Sequence, residues 1–365
     1  INKKEEELRR LFYVGITRAA THLYISYPVF SNEGKNLEPS MFIAEISDKH
    51  PEIETQNISF TAEEIFEFQE LQFLEQTPQI EPAEEEFISA LLEKFSMNVT
   101  ALNNYLKCPL QFYYQNLIRI PSGKNEATEF GSAVHYALEK LFRNMQDAGK
   151  EVFPPKEEML ANFSWYLKKH RENFTKEAFD RRMEYGNEVL TNYYNKYINT
   201  WNKVVAVERN IRAVVVNGIP LKGKLDKLEF NGNRVNVVDY KTGDIDKAKN
   251  KLKAPNDKDP NGGDYWRQAI FYKLLIDNYK VKDWRVESTE FDFIEPDKNK
   301  VYHKQKIAIT PQDVETVEQQ VTETWKKIQN REFYTGCGKP ECYWCNFVKE
   351  NKLQKARYEH EEQEE

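Results

Sequence analysis

The stretch from Pro220 to Gly243 constrains the fold most. Pro220–Phe230 and Val235–Tyr240 read as strands, and Asn231-Gly232 between them is a tight-turn signal. A third strand-like run, Val204–Val216, precedes them. The middle of the chain is therefore expected to be an antiparallel ribbon. Helical patterns surround it. Gly131–Met145 carries Val134, Leu138, Leu141 and Met145 on one stripe. Residues 100–117 predict a helix that turns at Cys108-Pro109, because the residue before a proline is pushed out of the helical region. Two further helices are expected over 156–200, then a helix over 264–279, a strand over 284–295 and a helix over 311–330. Helices, antiparallel strands, helix, strand, helix is the order of an α/β or α+β core with a helical insertion.

The ribbon also carries the chemistry. Asp226 lies in Gly223-Lys224-Leu225-Asp226, and Asp239 and Lys241 close the next strand in Asp239-Tyr240-Lys241-Thr242-Gly243. Strand alternation puts Asp239 and Lys241 on one face, and a hairpin can bring Asp226 beside Asp239. Adjacent carboxylates repel unless they share a cation, and hard oxygen ligands suit Mg²⁺ or Mn²⁺. A lysine beside that cation can orient an attacking water and offset developing charge on phosphorus. Taken singly, the remaining candidates are unremarkable. His135 on an apolar helix is more often a core histidine than a ligand. Glu208 reads as an exposed acid. Gln268 and Tyr272 share a helix face only because they are four apart.

Together these residues resemble the RecB-like branch of the PD-(D/E)XK nucleases over residues 97–347: GxxxH, an acidic strand, GxxD, DYKTG and QxxxY, in that order. The resemblance implies a restriction-endonuclease-like α/β core, with a mixed central sheet flanked by helices and a helical insertion. It implies metal ligation by His135, Asp226, Asp239 and the main-chain carbonyl of Tyr240, with Asp226, Asp239 and Lys241 as catalytic residues. It casts Gln268 and Tyr272 as site-lining residues that contact the DNA strand, with Glu208 a weaker carry-over in the same group. Every core position of the pattern is filled, so an active, Mg²⁺- or Mn²⁺-dependent deoxyribonuclease is expected.

The chain holds four cysteines: Cys337, Cys342 and Cys345 as C-x4-C-x2-C, and Cys108 far upstream. One four-sulfur site would use them all, and four thiolates suit a [4Fe–4S] cluster or a structural zinc. The chain resembles AddB-type nuclease subunits, which carry such a cluster on one early and three late cysteines. Their late trio is spaced x2 then x5, unlike this one, so zinc or no metal stays open beside iron–sulfur.

Residues 5–28, EEELRRLFYVGITRAATHLYISYP, resemble motif VI of UvrD/Rep-type superfamily 1 helicases. There the position of Arg18 reaches the γ-phosphate of ATP. The pattern predicts a helix over 3–20 and a strand from Leu23 to Tyr27. Gly218–Leu225 mimics a phosphate-binding loop, but Leu225 replaces the required hydroxyl and no helix is expected after it. ATP is accordingly assigned to a parent helicase and not to this stretch. The chain opens with Ile1 inside a helical pattern, which reads as a fragment of a longer protein. The expected organisation is a helicase remnant over 1–28, an acidic arm over 29–95, a nuclease domain over 96–350 and an acidic tail over 351–365.

The formal charge of −7 at first argues against a nucleic-acid partner. Its distribution reverses that. Residues 52–94 hold twelve acids and one lysine, and Glu359–Glu365 adds five more acids. Without these two segments the remainder is net basic, as a polyanionic partner requires. Ile65, Phe66, Phe68, Leu71, Phe73 and Leu74 give the acidic arm helical spacing. No apolar run reaches the length of a membrane span, and four cysteines fit a reducing, cytoplasmic setting. The expected partners are single-stranded DNA or unwound duplex ends, and a second helicase–nuclease subunit, in double-strand-break repair and recombination. The competing readings are a non-catalytic strand-binding module using Tyr265, Trp266 and Arg267, and a scaffold docked through the acidic arm.

Overall fold

The computed structural model describes residues 3–31, 35–65, 77–121, 123, 125–149, 151–257 and 259–354. It divides into two compact units, Ile1–Leu74 and Glu75–Glu365.

The first unit holds α1 (Lys3–Ile16) and α2 (Met41–Lys49). Phe12 stacks on Phe42 at 5.5 Å, and Arg9 lies over the same ring while pairing with Glu45. Leu23–Tyr27 does not form the expected strand. Among the described residues it has no ladder partner, and Tyr24 is 88% exposed. The alternation is there, but a strand exists only where a neighbour takes its N–H and C=O groups. Of the residues that give the acidic arm its helical spacing, Phe66, Phe68, Leu71, Phe73 and Leu74 lie outside the described residues, as does most of the acidic tail.

The second unit is built on a five-stranded sheet of order β1-β2-β3-β4-β5, from β1 (Val205–Val216), β2 (Ile219–Asn231), β3 (Arg234–Lys241), β4 (Arg285–Phe293) and β5 (Lys304–Ile307). All pairs are antiparallel except β3/β4, which are parallel and joined through a helix. Strand β3 is covered on both faces. Val235 and Val237 pack with Ile270, Leu274 and Leu275 of a long helix, Asp264–Asp277. Val238 and Tyr240 pack on the other side against the helical insertion. That double cover explains the near-continuous apolar run Val235–Tyr240. β5 was not expected. Its four residues, Lys-Gln-Lys-Ile, are too few and too polar to declare a strand, and they suit an edge.

In chain order the second unit adds α3 (Glu85–Glu93), α4 (Val99–Lys107), α5 (Pro109–Phe112, running into a π-helical turn), α6 (Glu126–Asp147), α7 (Lys156–Lys169) and α8 (Lys176–Tyr197). After β3 come α9 (Ile245–Ala248), α10 (Asp264–Asp277), α11 (Pro311–Gln329) and α12 (Tyr343–Glu350). The break at Cys108-Pro109 falls where expected. Two segments differ from expectation. The end of the acidic arm is core: Ile88 and Leu92 of α3 are buried, and Ile80 bridges to Gln354. Its acids, Glu85 and Glu86, sit in the first turn, where they suit the helix dipole and leave the inner stripe apolar. The expected cysteine turn continues as α12, with Trp344, Cys345 and Val348 turned inward.

Arg267 and Trp266 are not a DNA-stacking surface. Trp266 is 3% exposed and Arg267 is 2% exposed. The guanidinium donates to Gln320 Oε1 at 2.8 Å, to Asn103 Oδ1 at 2.5 Å, and to the carbonyls of Asn261 and Gly262 at 2.8 and 2.7 Å. It ties α4, α10 and α11 together, so its charge is spent inside the molecule. Replacing it leaves four acceptors without their donor, one of them, the Gly262 carbonyl, in a fully buried contact. Arg267→Ala is expected to cost about 3 kcal/mol or more of stability. Urea denaturation checks this, and a loss below about 1 kcal/mol would contradict the tie.

Candidate active site

Two carboxylates meet where β2 and β3 part. The β2/β3 ladder ends at Lys227 opposite Val238. The next N–H on β3, that of Tyr240, donates to Asp226 Oδ2 at 2.9 Å. A side chain thus takes over from the main chain at the point where the sheet opens. The other oxygen of Asp226 lies 3.4 Å from His135 Nδ1. His135 reaches it from α6, one turn beyond Gly131. A Cβ on Gly131 would meet Thr242 Oγ1 at 3.0 Å, so the glycine lets α6 approach the end of β3. At that end Gly243 takes φ +111°, a conformation that favours glycine, and its N–H donates to Glu295.

Asp239 is held from α10. Tyr272 donates its hydroxyl to Asp239 Oδ1 at 2.8 Å, and Gln268 Nε2 donates to the same oxygen at 3.0 Å. Lys241 Nζ lies 2.7 Å from Asp239 Oδ2 and donates to Gln268 Oε1 at 2.9 Å, closing a ring of four residues. The ammonium also lies 4.2 Å over the ring of Tyr265. Of the stretch Tyr265–Arg267, Tyr265 alone touches the site. Tyr272 is buried, with its hydroxyl committed to Asp239. It positions a carboxylate.

Glu208, expected among the substrate contacts, lies beside His135 and Asp226. His135, Glu208 and Asp226 each offer one ligand atom, all within 4.8 Å of one another. Glu208 sits at φ +49°, a left-handed conformation that a residue with a Cβ adopts only under constraint. Lys224 pairs with it, a contact the sequence reading missed. Its signal was available: Lys224 is two residues from Asp226 and so on the same strand face.

The charges reinforce one another. Burial pushes the Asp226 carboxyl up, but His135 and the Tyr240 N–H outweigh it, and the group ends below the usual carboxylate range. Burial likewise acts to discharge His135, and Asp226 reverses that, raising the imidazole pKa. Asp239 moves the other way, raised by burial beyond what Lys241 offsets. Lys241, despite its burial, is raised by Asp239 and stays an ammonium. Glu208 is raised, by burial first, against the pull of Lys224.

The four cysteines, 237 residues apart at the extremes, form a second cluster with all four sulfurs within 4.8 Å of one another. Cys345 Sγ is 3.8 Å from both Cys108 Sγ and Cys337 Sγ, and all four are free thiols. A Cβ on Gly336 would meet Cys345 Sγ at 2.6 Å, so glycine is needed where the chain passes the cluster. Burial pushes the Cys108 thiol far up and that of Cys345 to about 11. Cys342 ends lowered, because the Cys345 N–H and the neighbouring sulfurs outweigh its burial.

The sequence profile of the PD-(D/E)XK nuclease superfamily matches residues 96–349. The chain belongs to that superfamily. Asp239-Tyr240-Lys241 supplies the (D/E)XK of its name. An ATP-dependent helicase/deoxyribonuclease subunit of Carboxydothermus hydrogenoformans is 20% identical in an alignment 308 positions long, which covers 64% of this chain and 27% of that protein. The chain therefore spans about a quarter of the length of this curated relative. A solved structure described as a candidate exonuclease, from Eubacterium rectale, is a distant likeness. It has a TM-score of 0.44 and 14% identity, over 73% of this chain and 93% of that one. The mixed sheet flanked by helices is the PD-(D/E)XK nuclease fold.

Within that fold, Tyr272 makes the sharpest single-atom test of the site. Tyr272→Phe removes one buried donor to Asp239 and is expected to lower stability by about 1–2 kcal/mol. Thermal and urea unfolding check it, and wild-type stability would mean that the hydroxyl does not hold Asp239.

Proposed function

We propose that this chain is the nuclease domain of an ATP-dependent helicase/nuclease, and that it hydrolyses phosphodiesters in single strands of unwound DNA with Mg²⁺ or Mn²⁺. The observation that carries the reading is that Asp226 of β2 lies beside His135 of α6 and takes the N–H of Tyr240, the residue between Asp239 and Lys241, which pair with one another. His135, Asp226 and Glu208 offer one nitrogen and two carboxylate oxygens within 4.8 Å, a donor set that fits a hard divalent cation. We assign His135, Asp226, Asp239 and the Tyr240 carbonyl as ligands, with Glu208 beside them. A divalent ion held there supplies Lewis-acid polarisation of the phosphate and a more acidic water. The protein's own groups do the rest. The Lys241 ammonium, fixed by Asp239 and Gln268, stands ready to offset negative charge developing on the phosphate and to orient water. Tyr272 and Gln268 hold Asp239 from behind.

The wider context is part of the proposal. The relative from Carboxydothermus is named as part of a helicase/deoxyribonuclease, and the Arg18 segment resembles a helicase motif, so ATP belongs to a parent motor. Repair of double-strand breaks by recombination, a second helicase–nuclease subunit and a cytoplasmic setting follow from the same likeness. Among the described residues, no helix is long and apolar enough to cross a membrane. The burial of Trp266 and Arg267 weighs against a module that only holds a strand.

Cleavage of linear single-stranded DNA tests the reading. Wild-type protein is expected to cut with Mg²⁺ or Mn²⁺ and to stop with a chelator. Asp226→Ala and Lys241→Ala are each expected to lose about 10²–10³-fold or more in rate while keeping the wild-type circular dichroism spectrum. Cutting by either folded variant at the parent rate would remove the assignment.

We also assign the four cysteines as one metal site, [4Fe–4S] or zinc, that staples α5 to α12. Their spacing and shared burial fit four-thiolate ligation. Iron, sulfide and zinc analysis of anaerobically purified protein tells the two metals apart. Cys337→Ser is expected to lower both bound metal and unfolding temperature. An unchanged unfolding temperature would rule out the staple.

A further inference from the structure

The β1–β2 ribbon continues past the point where β2 leaves β3. Residues 219–226 of β2 no longer pair with β3. Part of the freed edge is taken by Met97, whose N–H donates to the Pro220 carbonyl and whose carbonyl accepts from Lys222 N–H. On this extension the inward face is apolar. Leu221 and Leu225 are buried, and a Cβ on Gly223 would meet Leu275 of α10 at 2.6 Å. By strand alternation Lys222, Lys224 and Asp226 share the outward face.

That face is basic. Lys224 is next to Asp226 and reaches Glu208. Opposite Lys222 the β1 strand bulges. Ile211 pairs with Gly223 and Val214 with Leu221, so Arg212 and Ala213 together face one residue. Ile211 and Val214 are both buried, which leaves Arg212 and Ala213 outward and exposed, and Ala213 takes φ +58° to do it. A bulge is a common device for re-aiming a side chain beside a site. Arg119, itself at φ +55° in the turn after α5, is near enough for its charge to act on Lys222. Burial first, then Arg119 and Arg212, lower the Lys222 ammonium, so both guanidiniums lie within electrostatic reach of it. Among the described residues no carboxylate pairs with Arg119, Arg212 or Lys222, whereas Lys224, nearer the site, has Glu208. Uncompensated repulsion on a solvent-facing ribbon is unfavourable unless a polyanion relieves it.

We propose that Arg119, Arg212 and Lys222 form a backbone-binding track that holds the phosphates of a single DNA strand and leads it to the carboxylates at Asp226. Successive outward residues of a strand are about 7 Å apart, the scale of the phosphate-to-phosphate step in an extended single strand. Lys222 is then about 14 Å from Asp226, which places the track some two nucleotides from the candidate metal site. The contacts are charge to phosphate, so they fix register without reading sequence. This rests on the nuclease reading only for what happens at Asp226; strand binding is measured separately from cutting.

The test is fluorescence anisotropy of labelled oligothymidylate with the full chain, in Ca²⁺ to hold back cleavage, over a salt series. Arg119→Gln/Arg212→Gln/Lys222→Gln is expected to weaken binding at least tenfold. It should flatten the slope of log affinity against log salt by about 2, since each contact to a single strand contributes about 0.7. Arg212→Gln and Lys222→Gln alone should each remove about one contact's share. The charge-preserving Arg119→Lys/Arg212→Lys/Lys222→Arg should retain most of the slope, which separates lost charge from lost fold. Lys203→Gln/Lys280→Gln/Lys282→Gln, at the far end of the sheet, should bind as the parent does. Parent-like affinity and slope in the first triple variant would overturn the track. So would an equal loss in the distant triple. If the parent binds through the track yet never cuts with Mg²⁺ or Mn²⁺, the track stands and the nuclease reading falls.

Discussion

The hydrogen bond from the Tyr240 N–H to Asp226 organises the site. Up to Lys227 and Val238 the hairpin is an ordinary ladder. One step later a carboxylate stands where a carbonyl would, and the two strands separate. Several features follow from that substitution. It leaves Asp226 with a free oxygen for His135. It leaves the outer part of β2 to pair with Met97 instead of β3. It also keeps Asp226 charged although buried, because an N–H and an imidazole both favour the anion. Asp239 lacks that support and is instead gripped by Tyr272, Gln268 and Lys241. Two neighbouring carboxylates thus shift in opposite directions, each set by the element behind it.

Much of this was legible in the sequence, for identifiable reasons. Strands β1 to β4 and helices α4, α6, α7, α8, α10 and α11 announce themselves through apolar period, the Asn231-Gly232 turn and the Cys108-Pro109 break. The chemistry-bearing residues declare themselves because their spacing is short: Asp239 and Lys241 lie on one strand, and Gln268 and Tyr272 on one helix. Long-range consequences were less legible. Leu23–Tyr27 has the composition of a strand, but composition does not supply a partner. The residues Tyr265-Trp266-Arg267 look like a nucleic-acid platform. The helix turns Trp266 and Arg267 into the core, where amides, carbonyls and the Asp264 carboxylate absorb the guanidinium. Glu208 was hard to place because its role depends on a local backbone conformation that no side-chain pattern encodes.

The distribution of cations makes a related point. Buried Arg267 and Lys227 are embedded among partners, Lys227 beside Glu229 and over the rings of Phe142 and Tyr240. Counting such residues toward a basic surface overstates what a ligand can feel. The charge that matters to a polyanion is the fraction left exposed and unpaired.

The wide sequence separation of the thiols has a consequence for biosynthesis. Cys108 is made 237 residues before Cys345. At about 5–20 residues per second, the ribosome takes on the order of 10–50 s to supply the last sulfur. During that interval α4 and α5 exist without α12, and a thiol destined for the interior is open to oxidants and to stray metal. Maturation of this corner is thus tied to the end of translation of the domain, and a chain truncated before residue 345 would carry Asp226, Asp239 and Lys241 with this corner still unsealed.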